Sequence, residues 1–300
     1  MQIGIDLGGT KIEIQALSPR GELLFRQRAP TPQGNYPATV AAIAALIGQA
    51  EHHTGHTCPQ IGIAIPGAIS PASGLIKNAN SVCLIGQRLD QDVSALIQRP
   101  VVLANDADCF ALSEATDGAA AGTASVFGVI LGTGVGGGIV IQGKLLSGPN
   151  AICGEWGHNP LPWPDPADPA ARPCYCGKQG CIETYLSGPG FAQQFQQQTG
   201  TPLMSEQIWQ LADQGDPEAA QATGRYIDQL ARSLASVINI LDPEVIVLGG
   251  GLSNVKRLYS EVPQRWERYV FSDSVTTALR RAKYGDSSGV RGAAWLRPAG

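Results

Sequence analysis

The first thirty residues alternate apolar positions with small or polar ones, which is the period of β-strands. One run extends from Ile3 to Leu7, a second from Ile12 to Ala16, and a third begins at Leu23. Turn-forming residues separate the runs at Gly8-Gly9 and at 19–21. The pattern therefore predicts an antiparallel meander of three strands.

Later segments show either helical spacing of apolar residues or short unbroken apolar runs. Helical spacing predicts helices over 36–51, 106–121, 217–241, 254–269 and 287–296. The apolar runs, which we predict to be buried strands, are 61–65, 101–104 and 245–248. Strands that alternate with helices in this way are typical of an α/β fold.

The opening motif returns in the middle of the chain. GIDLGGTKIEIQAL at residue 4 is echoed by GVILGTGVGGGIVIQG at residue 128, each with a strand, a glycine turn and a second strand. We therefore predict two domains of one plan, residues 1–122 and 123–285, with a last helix at 286–300 that packs back on the first domain. The alternative is that such turns recur by chance in a chain with 37 glycines.

The glycine turns are candidates for phosphate binding. Glycine lets backbone N–H groups approach a ligand closely, while Thr10 and Thr133 add hydroxyl donors and Lys11 adds positive charge. Either turn alone is more simply an ordinary hairpin, but their repetition and a third glycine run at 249–251 favour binding of the phosphates of ATP. The segment after 132–138 is strand-like, so neither a Walker A motif nor a dinucleotide-binding motif is present in its usual context.

Charge and hydropathy narrow the possible partners. A formal net charge of -4 and a pI near 5.6 argue against a broad surface for nucleic acid or anionic membrane. No apolar segment approaches the roughly 20 residues that span a bilayer, and the first apolar run is interrupted by Asp6. We therefore expect a cytoplasmic protein without nucleic-acid or membrane partners.

Two acidic residues follow a predicted buried strand at the start of a predicted helix, in the segment Asn105-Asp106-Ala107-Asp108. Asparagine and aspartate are preferred helix caps, so capping is one interpretation. Phosphoryl transfer, however, needs an oriented carboxylate that accepts the proton of the attacking hydroxyl. We predict that Asp106 is this base and that Asn105 hydrogen-bonds to sugar hydroxyls.

One histidine and three of the seven cysteines form a candidate metal site: His158, Cys174, Cys176 and Cys181. One imidazole and three thiols make a closed set of four ligands, as in structural zinc sites. The alternative is a group of unligated or redox-active thiols. Zinc that fixes His158 would also help to place Glu155 and Glu183, whose carboxylates could then face a sugar.

Taken together, these segments resemble the ROK (repressor, open reading frame, kinase) sugar kinases over essentially the whole chain. The matching segments are DLGGTK at 6, NDAD at 105, GTG at 132, GEWGH at 154, CYCGKQGCIE at 174, GGGLSN at 249 and GDSSGVRGAAWL at 285. Within the family the chain looks most like bacterial fructokinases, also called mannofructokinases, in KNANS at 77, EWGHNPLPW at 155 and KYGDSSGVRGAAWL at 283. The resemblance implies an actin-like, ribonuclease-H-like fold with an interdomain active-site cleft, Mg²⁺-dependent transfer of the ATP γ-phosphate to a hexose, and a homodimer.

The resemblance also implies roles for individual residues. Asp106 matches the family's catalytic base, and its sugar-contacting positions match Asn105, Glu155, His158 and Glu183. Its zinc ligands match His158, Cys174, Cys176 and Cys181, so that His158 would serve both sugar and metal. We add Gly67 and Asn80 as predicted sugar contacts, and we predict nucleotide contacts for Gly4, Asp6, Gly8, Gly9, Thr10, Lys11, Gly132, Thr133, Gly134, Gly136, Gly249, Gly250 and Gly251. Tyr175 stands where many members have glycine, which puts the local backbone conformation in question.

Several functions compete at this point. The leading expectation is ATP-dependent phosphorylation of fructose at the 6-hydroxyl, with mannose or glucose as further acceptors. A glucokinase or an N-acetylhexosamine kinase of the same family is the alternative, because pocket shape decides among such sugars. A sugar-responsive transcriptional repressor is a distant alternative, since repressors of this family carry a helix-turn-helix segment before the kinase-like part, whereas the first predicted strand here begins at residue 2. A zinc-stabilised sugar-binding protein without catalysis is the last.

Overall fold

A computed structural model describes residues 1–79 and 81–297, so the predicted sugar contact Asn80 lies outside the described residues. The chain divides into two compact units. The first holds 1–122, 138–153 and the described residues from 283 onward, and the second holds 123–137 and 154–282. We predicted one uninterrupted second domain from 123 to 285, whereas this division assigns 138–153 to the first unit.

Strands and helices alternate along the chain as expected for an α/β fold. The strands are β1 (Gln2–Leu7), β2 (Lys11–Leu17), β3 (Leu23–Pro30), β4 (Ile61–Ile65), β5 (Ala68–Ile69), β6 (Ile76–Lys77), β7 (Val101–Asn105), β8 (Ser125–Leu131), β9 (Val135–Ile141), β10 (Lys144–Leu145), β11 (Val245–Gly249) and β12 (Ala278–Arg281). The helices are α1 (Tyr36–Thr54), α2 (Leu89–Ile97), α3 (Asp106–Thr116), α4 (Glu183–Leu186), α5 (Gly188–Thr199), α6 (Ser205–Asp213), α7 (Pro217–Leu241), α8 (Arg257–Trp266) and α9 (Ser288–Trp295).

The first sheet has the strand order β3-β2-β1-β4-β7. β1, β2 and β3 form the predicted antiparallel meander, in which Leu7 lies opposite Ile12, while β4 pairs in parallel with β1 and with β7. Apolar residues of β1, β2 and β4 form a buried core with residues of α1 and α2. Burial of both faces explains why β4 is an unbroken apolar run.

The second sheet has the strand order β10-β9-β8-β11-β12. β11 pairs in parallel with β8 and β12, and β10 pairs antiparallel with β9. In both sheets, strands joined by short turns occupy one side and strands that follow helices occupy the other. Both sheets therefore follow one plan, as the repeated glycine motif predicted.

Helix α9 packs unusually closely on the first sheet and on α3. A Cβ atom added to Gly4 of β1 would lie 2.1 Å from the carbonyl oxygen of Val290, and one added to Gly62 of β4 would lie 1.8 Å from that of Ala293. A Cβ atom added to Gly292 would lie 1.6 Å from the carbonyl oxygen of Cys109 in α3. Only glycine fits at these contacts, so backbone meets backbone across the interface.

Some predicted helix bounds differ from those observed. α7 spans the predicted residues, but α3 ends at Thr116 instead of 121 because Gly118 and Ala119 turn back onto it. The N–H of Gly118 bonds to the carbonyl of Ser113, and that of Ala119 bonds to the buried carboxylate of Glu114 at 2.7 Å. Helices α2 and α6 were not predicted, and the polar stretch 193–198, which indicates one face of a helix, lies within α5.

Of the helices in the described residues, none combines the length and the apolar character needed to cross a bilayer.

Candidate active site

The candidate base lies where β7 ends and α3 begins. Asn105 is the N-cap of α3, and its side-chain oxygen accepts the N–H of Ala107 at 2.9 Å. Its amide nitrogen donates to the carbonyl of Gly67 at 3.0 Å. Asn105 and Gly67, both predicted sugar contacts, are therefore hydrogen-bonded to each other. The exposed carboxylate of Asp106 accepts the same N–H at 2.8 Å. The capping interpretation is thus correct for Asn105, and Asp106 is exposed at the same junction.

A second carboxylate lies close to Asp106 in the first unit. Burial, together with the negative charges of Asp106 and Glu13, raises the pKa of Asp6 to about 6, while Lys11 and Arg28 act in the opposite direction. Two carboxylates near one another can share a divalent cation.

The first glycine turn joins β1 to β2 through residues 8–11. The N–H of Gly8 donates to the carbonyl of Lys11 at 3.0 Å, which closes the turn. Thr31 stabilises the turn with two hydrogen bonds. Its hydroxyl donates to the carbonyl of Gly8 at 2.8 Å, and its N–H donates to the carbonyl of Thr10 at 3.0 Å. Gly9, Thr10 and Lys11 remain exposed, so their polar groups can reach a ligand.

The second glycine turn joins β8 to β9 at Gly132–Gly134 and is held by neighbours in the second unit. Glu183 of α4 accepts the N–H of Val135 at 2.9 Å, and the first residue of α5, Gly188, donates its N–H to the carbonyl of Gly132 at 2.8 Å. The indole of Trp156 donates to the carbonyl of Gly136 at 3.0 Å. The structure therefore gives Glu183 a role in ordering this turn, in addition to the sugar contact that we predicted.

The third glycine run follows β11, the parallel neighbour of β8. Gly249 ends β11 opposite Ile130, and Gly250 has a φ of 79°, in the left-handed region. A Cβ atom at Gly250 would lie 2.4 Å from the carbonyl oxygen of Leu131. Both glycine segments of the second unit therefore lie at the same edge of the sheet, where α/β proteins bind ligands.

Not every predicted nucleotide contact lies at a turn. Gly4 is inside β1 beneath α9, and this close packing accounts for a glycine there without a nucleotide contact. Gly8 to Lys11, Gly132 to Gly136 and Gly249 to Gly251 occupy three turns or strand ends.

His158, Cys174, Cys176 and Cys181 come together in the second unit, with ligand atoms that all lie within 4.8 Å of one another. His158 Nδ1 is 3.6 Å from Cys174 Sγ, and Cys176 Sγ is 3.6 Å from Cys181 Sγ. Tetrahedral zinc with its usual bond lengths separates such atoms by roughly 3.5–3.8 Å. Burial raises the pKa of Cys181 to about 12, so a cation would be needed to keep this thiol ionised. The four residues thus fit a structural zinc ion.

The imidazole of His158 has a second neighbour. Its Nε2 atom lies 3.0 Å from the hydroxyl of Tyr175, and the two rings meet edge to face with centroids 5.1 Å apart. The tyrosine leaves the backbone of the cysteine loop intact, since the N–H of Gly177 still closes a turn on the carbonyl of Cys174 at 3.0 Å. Glu155, at the start of a short 3-10 turn that ends at His158, is exposed.

A family model described as the ROK family matches residues 2–299. The chain belongs to the ROK family. It is 41% identical over 301 residues to an N-acetyl-D-glucosamine kinase of Escherichia coli O139:H28, with 99% of each chain covered. Its fold superposes on a ROK hexokinase from Thermus thermophilus with a TM-score of 0.87, at 31% identity and 98% and 96% coverage of the two chains. It also superposes on a ROK glucokinase from Streptomyces griseus, solved with glucose and AMPPNP, with a TM-score of 0.77, at 29% identity and 100% and 99% coverage of the two chains.

These comparisons confirm the predicted family and fold class. The chain has the actin-like, ribonuclease-H-like α/β fold of ROK sugar kinases. They do not confirm fructose as the acceptor, since a relative matched over 99% of its length is an N-acetyl-D-glucosamine kinase.

Sequence reasoning missed several residues of the candidate ROK site. Gly188 and Trp156 hold the second glycine turn through a backbone N–H and an indole N–H, and neither contact leaves a local signal in the sequence. The contact between Tyr175 and His158 did have a signal, because a tyrosine stands between two metal-ligand positions where many ROK proteins have glycine.

Proposed function

We propose that this ROK sugar kinase transfers the γ-phosphate of ATP to a hydroxyl of N-acetyl-D-glucosamine. The observation that carries the kinase part is the β7–α3 junction, where an exposed carboxylate, Asp106, stands beside the anchored amide of Asn105. The full-length identity to an N-acetyl-D-glucosamine kinase supports the acceptor.

Asp106 would accept the proton of the attacking hydroxyl. Phosphoryl transfer passes through a loose transition state, so the hydroxyl loses its proton late, and a carboxylate of ordinary pKa suffices. The backbone N–H of Ala107 helps to hold this carboxylate in place at the exposed start of α3. Asn105, anchored to Gly67, would orient sugar hydroxyls beside it.

The glycine turns would bind the phosphates of ATP. In the first unit the exposed Lys11 supplies positive charge and Thr10 a hydroxyl. In the second, Thr133 is exposed at the turn that Glu183 and Gly188 hold in shape. A preordered turn stabilises developing negative charge without a further cost of ordering the loop.

Asp6 would be the main protein ligand of Mg²⁺, either directly or through water. Its carboxyl is half-buried beside the negative charge of Asp106, an environment that a divalent cation would relieve. Bound Mg²⁺ would neutralise charge on the phosphates of ATP.

Zinc would be held by His158 and the three cysteines as a structural ion. All four coordination positions are taken by protein atoms, which leaves none for a substrate. Its contribution would be to fold the segment around residues 158–183, and with it the orientation of Glu155 and His158 toward a sugar.

Fructose, phosphorylated at its 6-hydroxyl, is the second candidate acceptor. It is favoured by the segments KNANS at 77 and EWGHNPLPW at 155, which resemble bacterial fructokinases. It is also favoured by Tyr175, because a bulky side chain beside His158 leaves less room for an acetamido group.

A sugar panel with coupled ADP detection tests the proposal. The panel is N-acetyl-D-glucosamine, N-acetylmannosamine, fructose, mannose and glucose, each measured with the wild type and with Asp106→Asn to exclude a contaminating kinase. We expect the highest kcat/KM with N-acetyl-D-glucosamine. A higher value with fructose would establish the second candidate, and no sugar-dependent ADP release would overturn the kinase itself.

A further inference from the structure

Tyr175 is a large side chain in an unusual position. The residue is 83% exposed, although an aromatic side chain of this size is ordinarily buried or engaged with a partner. Its hydroxyl lies 3.0 Å from His158 Nε2, and the rings meet edge to face at an interplanar angle of 89°. Exposure of the ring means that little packing opposes its displacement.

The imidazole has one ring nitrogen for the metal and one for another partner. Nδ1 faces Cys174 Sγ at 3.6 Å, as a zinc ligand would. With Nδ1 bound to a metal, Nε2 carries the proton and donates it. In that tautomer the acceptor of this proton would be the Tyr175 hydroxyl, which lies 3.0 Å away in the position on Nε2 that the oxygen of a sugar hydroxyl would need.

The surroundings of the phenol are those of the candidate sugar site. Tyr175 lines a cavity of about 190 Å³ in the second unit together with Thr133, Cys174 and Glu183. Two residues with proposed sugar contacts, His158 and Glu183, are thus neighbours of this one side chain.

We propose that Tyr175 determines acceptor specificity, because its hydroxyl occupies His158 Nε2 and its ring limits the space beside that atom, so that an N-acetylated acceptor binds less tightly than it would without the ring. This inference rests on the proposed function, since it assumes that His158 contacts the acceptor. It assigns two separable effects to two parts of one side chain.

The hydroxyl acts by competition. A sugar oxygen can accept the proton of Nε2 only after the Tyr175 hydroxyl has moved away, so part of the binding free energy is spent on breaking that hydrogen bond. A net hydrogen bond of ordinary strength corresponds to about a 2- to 10-fold change in affinity. Tyr175→Phe, which keeps the ring, should therefore lower the Kd for the sugar by about that factor.

The ring acts by exclusion. Replacement of tyrosine with glycine, the residue that many ROK proteins have here, opens the space beside His158. Differences of a few atoms in a binding pocket change kcat/KM by about 10- to 200-fold. Tyr175→Gly should therefore raise the ratio of kcat/KM for N-acetyl-D-glucosamine over that for fructose by at least about 10-fold, whichever sugar the wild type prefers.

The experiment uses the full-length, zinc-loaded protein and three variants: Tyr175→Phe, Tyr175→Gly and the control Phe271→Gly. Phe271 is fully exposed in the same unit and outside the candidate site, so its variant removes an exposed ring without touching the acceptor. Calorimetry with each sugar gives Kd, steady-state kinetics gives kcat and the KM for sugar and for ATP, and metal analysis gives zinc content.

We expect Tyr175→Phe to have a lower Kd for the sugar. We expect Tyr175→Gly to have a higher ratio of kcat/KM for N-acetyl-D-glucosamine over that for fructose. The KM for ATP should be unchanged and the zinc content full in all variants. An unchanged or lowered ratio in Tyr175→Gly would overturn the proposal. Loss of zinc from Tyr175→Phe would also overturn it, by showing that the tyrosine only supports a metal ligand. A wild type that prefers fructose overturns the proposed acceptor but not this inference, whereas a wild type that binds no sugar overturns both.

Discussion

Asn105 and Asp106 are adjacent, yet their side chains are engaged differently. The side-chain oxygen of Asn105 accepts the N–H of Ala107, and its side-chain nitrogen donates to the carbonyl of Gly67. Asp106 accepts the N–H of Ala107 and is exposed. An acid at a helix N-terminus is usually explained by the helix dipole alone, and a mutation can separate this explanation from catalysis.

At the residue scale, we expect Asp106→Asn to lower kcat by about 10²- to 10⁴-fold, the usual contribution of a general base. The amide keeps the size of the side chain but cannot accept the proton. Coupled ADP detection measures the loss, and circular dichroism and sugar Kd should stay near those of the wild type. The matched control is Asp90→Asn, which removes an acid from the first turn of α2. An equal loss of activity in the control would assign the effect to the helix terminus.

Asp6 predicts a pH dependence of stability. Its pKa rises from 3.8 to about 6 on folding, so the folded chain holds a proton more tightly than the unfolded one. Stability is therefore highest below pH 4 as far as this group is concerned, and it falls as the pH rises toward 6, by up to about 3 kcal/mol. Denaturant unfolding in Mg²⁺-free buffer at pH 4 to 7 should show that the stability of Asp6→Asn minus that of the wild type increases over this range. A difference that stays constant with pH would contradict the assignment.

At the element scale, the loop of residues 158–183 is held by local turns and by Arg232 of α7, which pairs with Asp168 and donates to the carbonyl of Pro162. Apart from its short 3-10 turn and two isolated β-bridges, this segment lacks extended secondary structure, so metal ligation would add to its order. Four ligand atoms within 4.8 Å of one another fit the coordination of a single zinc ion.

Removal of zinc should therefore disorder this loop and weaken sugar binding. We expect Cys176→Ser to lower zinc content from about one ion per chain, to increase hydrogen exchange of 158–183, and to raise the KM for the sugar. Cys153→Ser, which changes a thiol outside the cluster, is the control. Full activity and normal exchange protection in a zinc-free sample would contradict the structural role of the metal.

The contact of α9 with the first sheet yields a stability prediction. Gly62→Ala places a methyl group 1.8 Å from the carbonyl oxygen of Ala293, so the helix must shift, and we expect a loss of about 1–3 kcal/mol. Gly48→Ala, in the exposed middle of α1 with nothing within 4 Å of the new methyl group, should be neutral or stabilising. The midpoints of denaturant unfolding compare the two, and equal midpoints would show that α9 adapts to the methyl group.

At the scale of the whole molecule, two sheets of one strand order are the main architectural fact. The similarity of GIDLGGTKIEIQAL and GVILGTGVGGGIVIQG predicted the part that the hairpins form, because a strand, a glycine turn and a strand in sequence impose the same hairpin in each half. The other strands of each sheet come from distant segments, and their order follows from packing and not from local pattern. For the same reason the assignment of residues 138–153 to the first unit had no signal in the sequence.

The sequence by itself determined the features that depend on local chemistry. The three-strand meander, the long helix α7, the glycine turns and the four residues of the histidine–cysteine cluster all follow from residue type and spacing. Only the tertiary structure decided which distant groups meet. It placed Glu183 on the backbone of the second glycine turn, Gly4 beneath α9 and Tyr175 on His158 Nε2. The physical reason is that such contacts depend on the packing of elements far apart in the chain, about which spacing within one segment carries no information.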